Sequence, residues 1–100
     1  MEIKQNKTGE TLTANLTGRL DTNTAPQLQE ALLGAIDGSF KTLEIDLADL
    51  DYVSSAGLRV LLALQKQCTA QGASMFLSHC NDMTRDVFRM TGFDKILDIR

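Results

Sequence analysis

Apolar residues alternate with polar ones in Thr11-Leu12-Thr13-Ala14-Asn15-Leu16, a period of two that predicts a strand with one buried face. Thr8-Gly9 just before it supplies turn chemistry, so an N-terminal hairpin is expected, its second strand running into Gly18-Arg19-Leu20-Asp21. The period then changes. Leu28, Ala31, Leu32, Ala35 and Ile36 recur at steps of three and four, one stripe of a helix starting near residue 25. Thr22, Asn23 and Thr24 are candidate caps, Pro26 suits the first turn, and Asp37-Gly38 gives a stop. Leu43, Ile45 and Leu47 alternate with Glu44 and Asp46 as a further strand, which Asp49-Leu50-Asp51-Tyr52-Val53 is expected to leave as a loop.

Ser54 can cap a second helix with Leu58, Leu61, Leu62 and Gln65 on one face and Gly72 as a left-handed cap. Ala73 to Ser78 reads as a short apolar strand. Asn81 or Asp82 then caps a third helix closed by Gly92, with Val87 on it and Met83, Phe88 and Met90 read as core. Phe93 to Ile99 is the candidate for a last edge strand. The order β-β-α-β-α-β-α, with that short final strand in addition, predicts an α/β fold: one mixed sheet flanked by helices, joined by right-handed crossovers. In such sheets functional loops lie beyond the carboxyl ends of strands, and Asp21 and Ser55 both fall in strand-to-helix loops.

Composition narrows the function. One hundred residues fit one core, so residues 1 to 100 are read as one domain, and 43% hydrophobic with 23% charged residues matches ordinary globular usage. No apolar run approaches the roughly 20 residues of a membrane span, and Met1-Glu2-Ile3-Lys4-Gln5 lacks the apolar core of a secretion signal, so the cytosol is the expected compartment, without membrane insertion. A formal charge of −3 argues against binding to nucleic acid, which needs clustered Lys and Arg. Cys68 and Cys80 lack CxxC spacing and have only His79 nearby as an imidazole, which points to reduced structural thiols and no metal site.

Most of the chemistry sits in Asp51-Tyr52-Val53-Ser54-Ser55-Ala56-Gly57-Leu58. The first amides of a helix lack intrahelical acceptors and the macrodipole adds roughly half a positive charge there, so a phosphate on Ser55 would be accommodated. Gly57 is expected to keep the approach to that serine uncrowded. The plainer alternative is that Ser54 and Ser55 are ordinary helix caps, contributing about 1 kcal/mol.

From Gly18-Arg19-Leu20-Asp21 through Val53-Ser54-Ser55-Ala56-Gly57-Leu58 to Met90-Thr91-Gly92-Phe93, nearly the whole chain resembles bacterial anti-sigma-factor antagonists of the STAS domain family. The resemblance implies partner switching. An unmodified antagonist captures an anti-sigma factor that is also a serine kinase, freeing the sigma factor; phosphorylation of a loop serine ends the capture, and a serine phosphatase is a further implied partner. By position the phosphoacceptor falls on Ser55, the glycine two residues later on Gly57, and the aspartate after the second strand on Asp21. Many members carry Asp where this chain has Ser54, so Ser54 stands as the alternative acceptor. Ser54, Ser55, Ala56, Gly57, Asp21 and Arg59 make up the implied partner surface. Asp21 could orient the Ser55 loop or cap the first helix, and Arg59, one turn beyond Ser55, could contact a partner or a phosphate or simply be solvated.

The rivals have less behind them. A hydrolase built on Ser55 and His79 lacks the G-x-S-x-G elbow, and no P-loop is present for a nucleotide. The chain is therefore expected to be no enzyme and to need no cofactor, the ATP and Mg²⁺ belonging to the kinase. STAS domains also serve as interaction modules of anion transporters and lipid-transport complexes, which is the second reading of the same fold.

Overall fold

In the computed structural model, which describes residues 1–100, the hairpin forms as expected from β1 (Glu2–Thr8) and β2 (Thr11–Leu20), with Thr8 opposite Thr11 and Gly9 at φ 60° in the turn. The chain continues through α1 (Ala25–Leu33), β3 (Thr42–Val53), α2 (Ser55–Ala70), β4 (Ser74–Ser78) and α3 (Asp82–Thr91), then a 3₁₀ turn at Phe93–Lys95. The strands lie in the order β1-β2-β3-β4, antiparallel in the hairpin and parallel thereafter. A mixed sheet therefore results.

Register puts Leu12 beside Leu43 and Met75, and Ala14 beside Ile45 and Leu77, so the alternating apolar residues of three strands share one face. Two right-handed crossovers advancing in one direction put α1 and α2 on that same face. There Leu28 and Leu32 of α1 and Leu58, Leu61, Leu64 and Cys68 of α2 complete a cluster of 23 buried residues. Each fully buried leucine contributes about 1.5–3 kcal/mol of transfer free energy, which is what holds the two helices on the sheet.

Several boundaries differ from expectation. Asp49–Val53 is strand, not loop: β3 carries one extra residue between Asp46 and Asp49 and another between Leu50 and Tyr52, relative to β2. These bulges respace the buried residues as Leu47, Leu50 and Val53, which breaks the period of two without ending the ladder. Asp46 supports the first bulge by accepting the Ala48 amide at 3.0 Å.

Helix α1 ends at Leu33, before Ala35 and Ile36, because the chain turns at Gly34, where the Ala35 and Ile36 amides both donate to the Leu32 carbonyl. The buried face of α2 is Gly57, Leu58, Val60, Leu61, Leu64 and Cys68, with Leu62 and Gln65 half-buried at its margin. Gly72, at φ 74°, follows the helix as its left-handed stop. Asn81, not Asp82, caps α3, accepting the Thr84 amide at 2.8 Å and tying the helix to β3 by donating to the Leu50 carbonyl at 3.1 Å.

On α3 only Phe88 of the three expected core residues is buried; Met83 and Met90 are 61% and 83% exposed. The final segment forms one bridge, Leu77 with Ile99, in place of a strand.

Candidate functional site

Parallel pairing brings the carboxyl ends of β2 and β3 side by side, with Leu20 opposite Val53. The Ser54 N–H donates to the Leu20 carbonyl at 2.8 Å, so the turn entering α1 and the turn entering α2 are tied together at their first residues. No loop separates β3 from α2. Val53 ends the strand, Ser54 is the cap and Ser55 opens the helix.

The two serines have different tasks. Ser54, extended at φ −96° and ψ 173°, accepts the Gly57 N–H on its hydroxyl at 3.2 Å, and its carbonyl accepts the Leu58 N–H at 2.9 Å. Its side chain is thereby spent on satisfying the helix end. Ser55 sits at the first helical position, exposed to solvent, beside amides that carry the positive end of the α2 dipole.

Gly57 has a different reason from the one expected of it. Buried under the first turn, it allows α2 to press on the end of β2: a Cβ there would lie 2.6 Å from Leu20 Cγ, 2.9 Å from Cδ2 and 3.1 Å from the Leu20 carbonyl oxygen. Contacts that short demand displacement, so glycine fixes the seat of the helix.

Asp21 works within its own turn. Its Oδ1 accepts the Asn23 amide at 2.9 Å and the Thr24 amide at 3.1 Å, its carbonyl accepts the Thr24 and Ala25 amides, and its own N–H donates to the Thr24 hydroxyl at 2.8 Å. Thr24, the formal cap of α1, makes no capping bond itself; its hydroxyl donates to the Arg19 carbonyl at 2.7 Å. Desolvation pushes the Asp21 carboxyl up, but the bonds from Thr24 and Asn23 and the Arg19 charge outweigh it and hold the carboxyl below its ordinary value. The Asp21 carboxylate closes the turn ahead of α1, its backbone carbonyl takes the first helical amide, and the link to the Ser55 turn runs through the neighbouring Leu20 carbonyl.

Between the first turns of α1 and α2 lies a groove of about 240 Å³. Thr22, Pro26 and Gln29 line one side, Ala56, Arg59 and Val60 the other. Arg59 is exposed and in none of the chain's ion pairs. Arg19 stacks over the Tyr52 ring at 4.3 Å, its Nε 3.7 Å from the Asp21 carboxylate, adding a cation and a ring that is 38% exposed beside the junction. The α1 wall and this stack are absent from the expected set; each shows in the sequence as a helix-face or strand spacing, but their convergence depends on which strands pair.

The remaining reactive groups lie elsewhere. Burial pushes the Cys68 thiol up to about 11, and burial raises Cys80 against the lowering effect of Arg85, so both are protonated at neutral pH. His79 bonds through Nδ1 to Asp46 Oδ1 at 3.1 Å and is not in the groove. No three His, Cys, Asp or Glu side chains are grouped to hold a metal ion, and no helix is long and apolar enough to cross a membrane.

The family model described as Mlab, STAS domain, matches residues 3–98. BtrV of Bordetella bronchiseptica, assigned as an anti-sigma factor antagonist, is 33% identical over 99% of this chain and 85% of its own length. The anti-sigma-B factor antagonist of Bacillus subtilis is 31% identical over 99% and 88%. Among solved structures, the Bacillus cell fate determinant SpoIIAA in its phosphorylated form superposes with a TM-score of 0.76, covering 99% of this chain and 91% of that one at 22% identity, a likeness of fold.

Proposed function

This chain belongs to the STAS domain family, and from that premise we propose that it is an anti-sigma factor antagonist whose partner binding is switched by phosphorylation of Ser55. Unmodified, it captures an anti-sigma factor with serine kinase activity and frees the sigma factor; a phosphate on Ser55 ends the capture, and a serine phosphatase restores it. The likeness to named antagonists over almost the full chain supports the partner class.

One observation carries the choice of switch: of two adjacent serines, Ser54 is occupied as the cap and Ser55 is exposed at the positive end of α2. A phosphate adds about −1.5 to −2 charge and three acceptor oxygens, which free helix amides tolerate and a closely packed partner surface does not. Gly57 seats the first turn of α2 closely against Leu20, next to the exposed Ser55. Asp21, Ala56 and Arg59 surround that face and would be covered by the partner. The chain acts by docking alone, as no enzyme, in the cytoplasm, and the nucleotide and magnesium belong to the kinase.

The test is to incubate the chain with its anti-sigma kinase and Mg-ATP and locate the phosphate by mass spectrometry. Phosphate on Ser55, absent in Ser55→Ala, is the expected result. Phosphate on Ser54 would move the switch by one residue, and capture of a transporter in place of any kinase would favour the interaction-module reading.

A further inference from the structure

Helix α3 turns Thr84 and Phe88 into the protein and leaves the large apolar side chains of Met83 and Met90 in water. Seven residues separate the two methionines, nearly two full turns, so they lie on one side of the helix. Half-buried Val87 lies between them, and Ile96, 53% exposed, follows in the next segment. Methionine is the apolar residue suited to adaptable contacts, and an exposed stripe of this kind marks a docking surface. One flank of the stripe carries Asp82, Asp86 and Arg89, with Arg89 ion-paired to Asp86.

We propose that this stripe is a self-docking surface, on which a second copy of this chain packs its α3 antiparallel to the first about a two-fold axis. The charge pattern selects that occupant. When Met83 faces the second copy's Met90, Asp82 comes within about 3 Å along the axis of the second copy's Arg89 and on the same flank, twice by symmetry. Each Arg89 then bridges its own Asp86 and the other copy's Asp82. A parallel two-fold pairing would instead put the charged flanks on opposite sides of the contact, leaving Asp82 without the second copy's Arg89. The contact is confined to one short helix, which makes the dimer weak and dependent on concentration. None of the α3 residues lines the groove beside Ser55, so this inference stands apart from the proposed switch.

Sedimentation equilibrium of the full chain up to about 1 mM tests it, the range in which such a small interface populates a dimer. The mean mass should rise toward twice that of the monomer. Met90→Lys and Met83→Lys should each weaken the dimer at least tenfold with an unchanged melting temperature, since both side chains are exposed. Arg89→Asp should weaken it too, and Asp82→Arg added to Arg89→Asp should recover it. A chain that stays monomeric at the highest concentration, or a dimer indifferent to both lysines, overturns the proposal. Protection of Met83 and Met90 from oxidation only when an anti-sigma factor is added would overturn it as well, assigning the stripe to that protein.

Discussion

Two strand-to-helix junctions stand side by side in this molecule and solve the same problem differently. Between β2 and α1 the chain spends Asp21, Thr22, Asn23 and Thr24 on a turn closed by the Asp21 carboxylate, with the Thr24 hydroxyl also consumed inside it. Between β3 and α2 a single residue, Ser54, does the capping, and the next hydroxyl, on Ser55, is exposed. A polar residue at a helix start is usually a structural device. What sets Ser55 apart is that its neighbour has already done that work.

The largest effect should come from the packing that holds the second junction rigid. Gly57→Ala places a methyl group within 3 Å of Leu20 and should cost about 1–3 kcal/mol in chemical denaturation, the usual range for overpacking. A neutral result would mean that α2 can shift at its start, and the contrast between a fixed junction and a compliant one would disappear.

Next comes the pair of serines. Ser54→Ala should lower stability by about 1 kcal/mol with an unchanged denaturant slope, while Ser55→Ala should stay within about 0.5 kcal/mol of the parent. Equal losses would show that both hydroxyls are structural and leave none for a switch.

The smallest effect belongs to the first junction. Folding lowers the Asp21 pKa, so its hydrogen bonds stabilise the protein above the ordinary carboxyl value of 3.8, and that stabilisation is lost as pH falls through the lower folded value. Asp21→Asn should therefore melt slightly lower than the parent at about pH 7, and the two curves should converge as pH falls below the carboxyl's lowered folded value. A gap that stays constant with pH would mean that the carboxylate charge contributes nothing to the turn.

How much of this was legible in the sequence depends on how local each cause is. The caps Ser54 and Asn81, the stop at Gly72 and the alternation Leu43, Ile45, Leu47 are decided by neighbouring residues, and they appear where the pattern puts them. The second half of β3 does not, because its spacing of three at Leu47, Leu50 and Val53 comes from bulges against β2, which only the paired strand reveals. Met83 and Met90 were unreadable for a related reason: hydrophobic spacing shows that a helix has an apolar side, not whether the sheet reaches it.

The site divides along the same line. Ser54, Ser55 and Gly57 stand together in one segment, and the proximity of Asp21 follows from its place after a strand. The groove wall formed by Thr22, Pro26 and Gln29 opposite Arg59 exists only because β2 and β3 are parallel neighbours. For Gly57 the sequence shows a glycine in the first turn but not what it packs against, since the close approach of Leu20 is a fact of packing.

Calorimetric titration of an anti-sigma factor with the unmodified chain and with a chain carrying phosphoserine at position 55 tests the switch most directly. The unmodified chain should bind, and the phosphorylated one should lose at least about 100-fold in affinity, roughly 2.7 kcal/mol, while its melting temperature holds. Equal affinities for two folded forms would contradict the account.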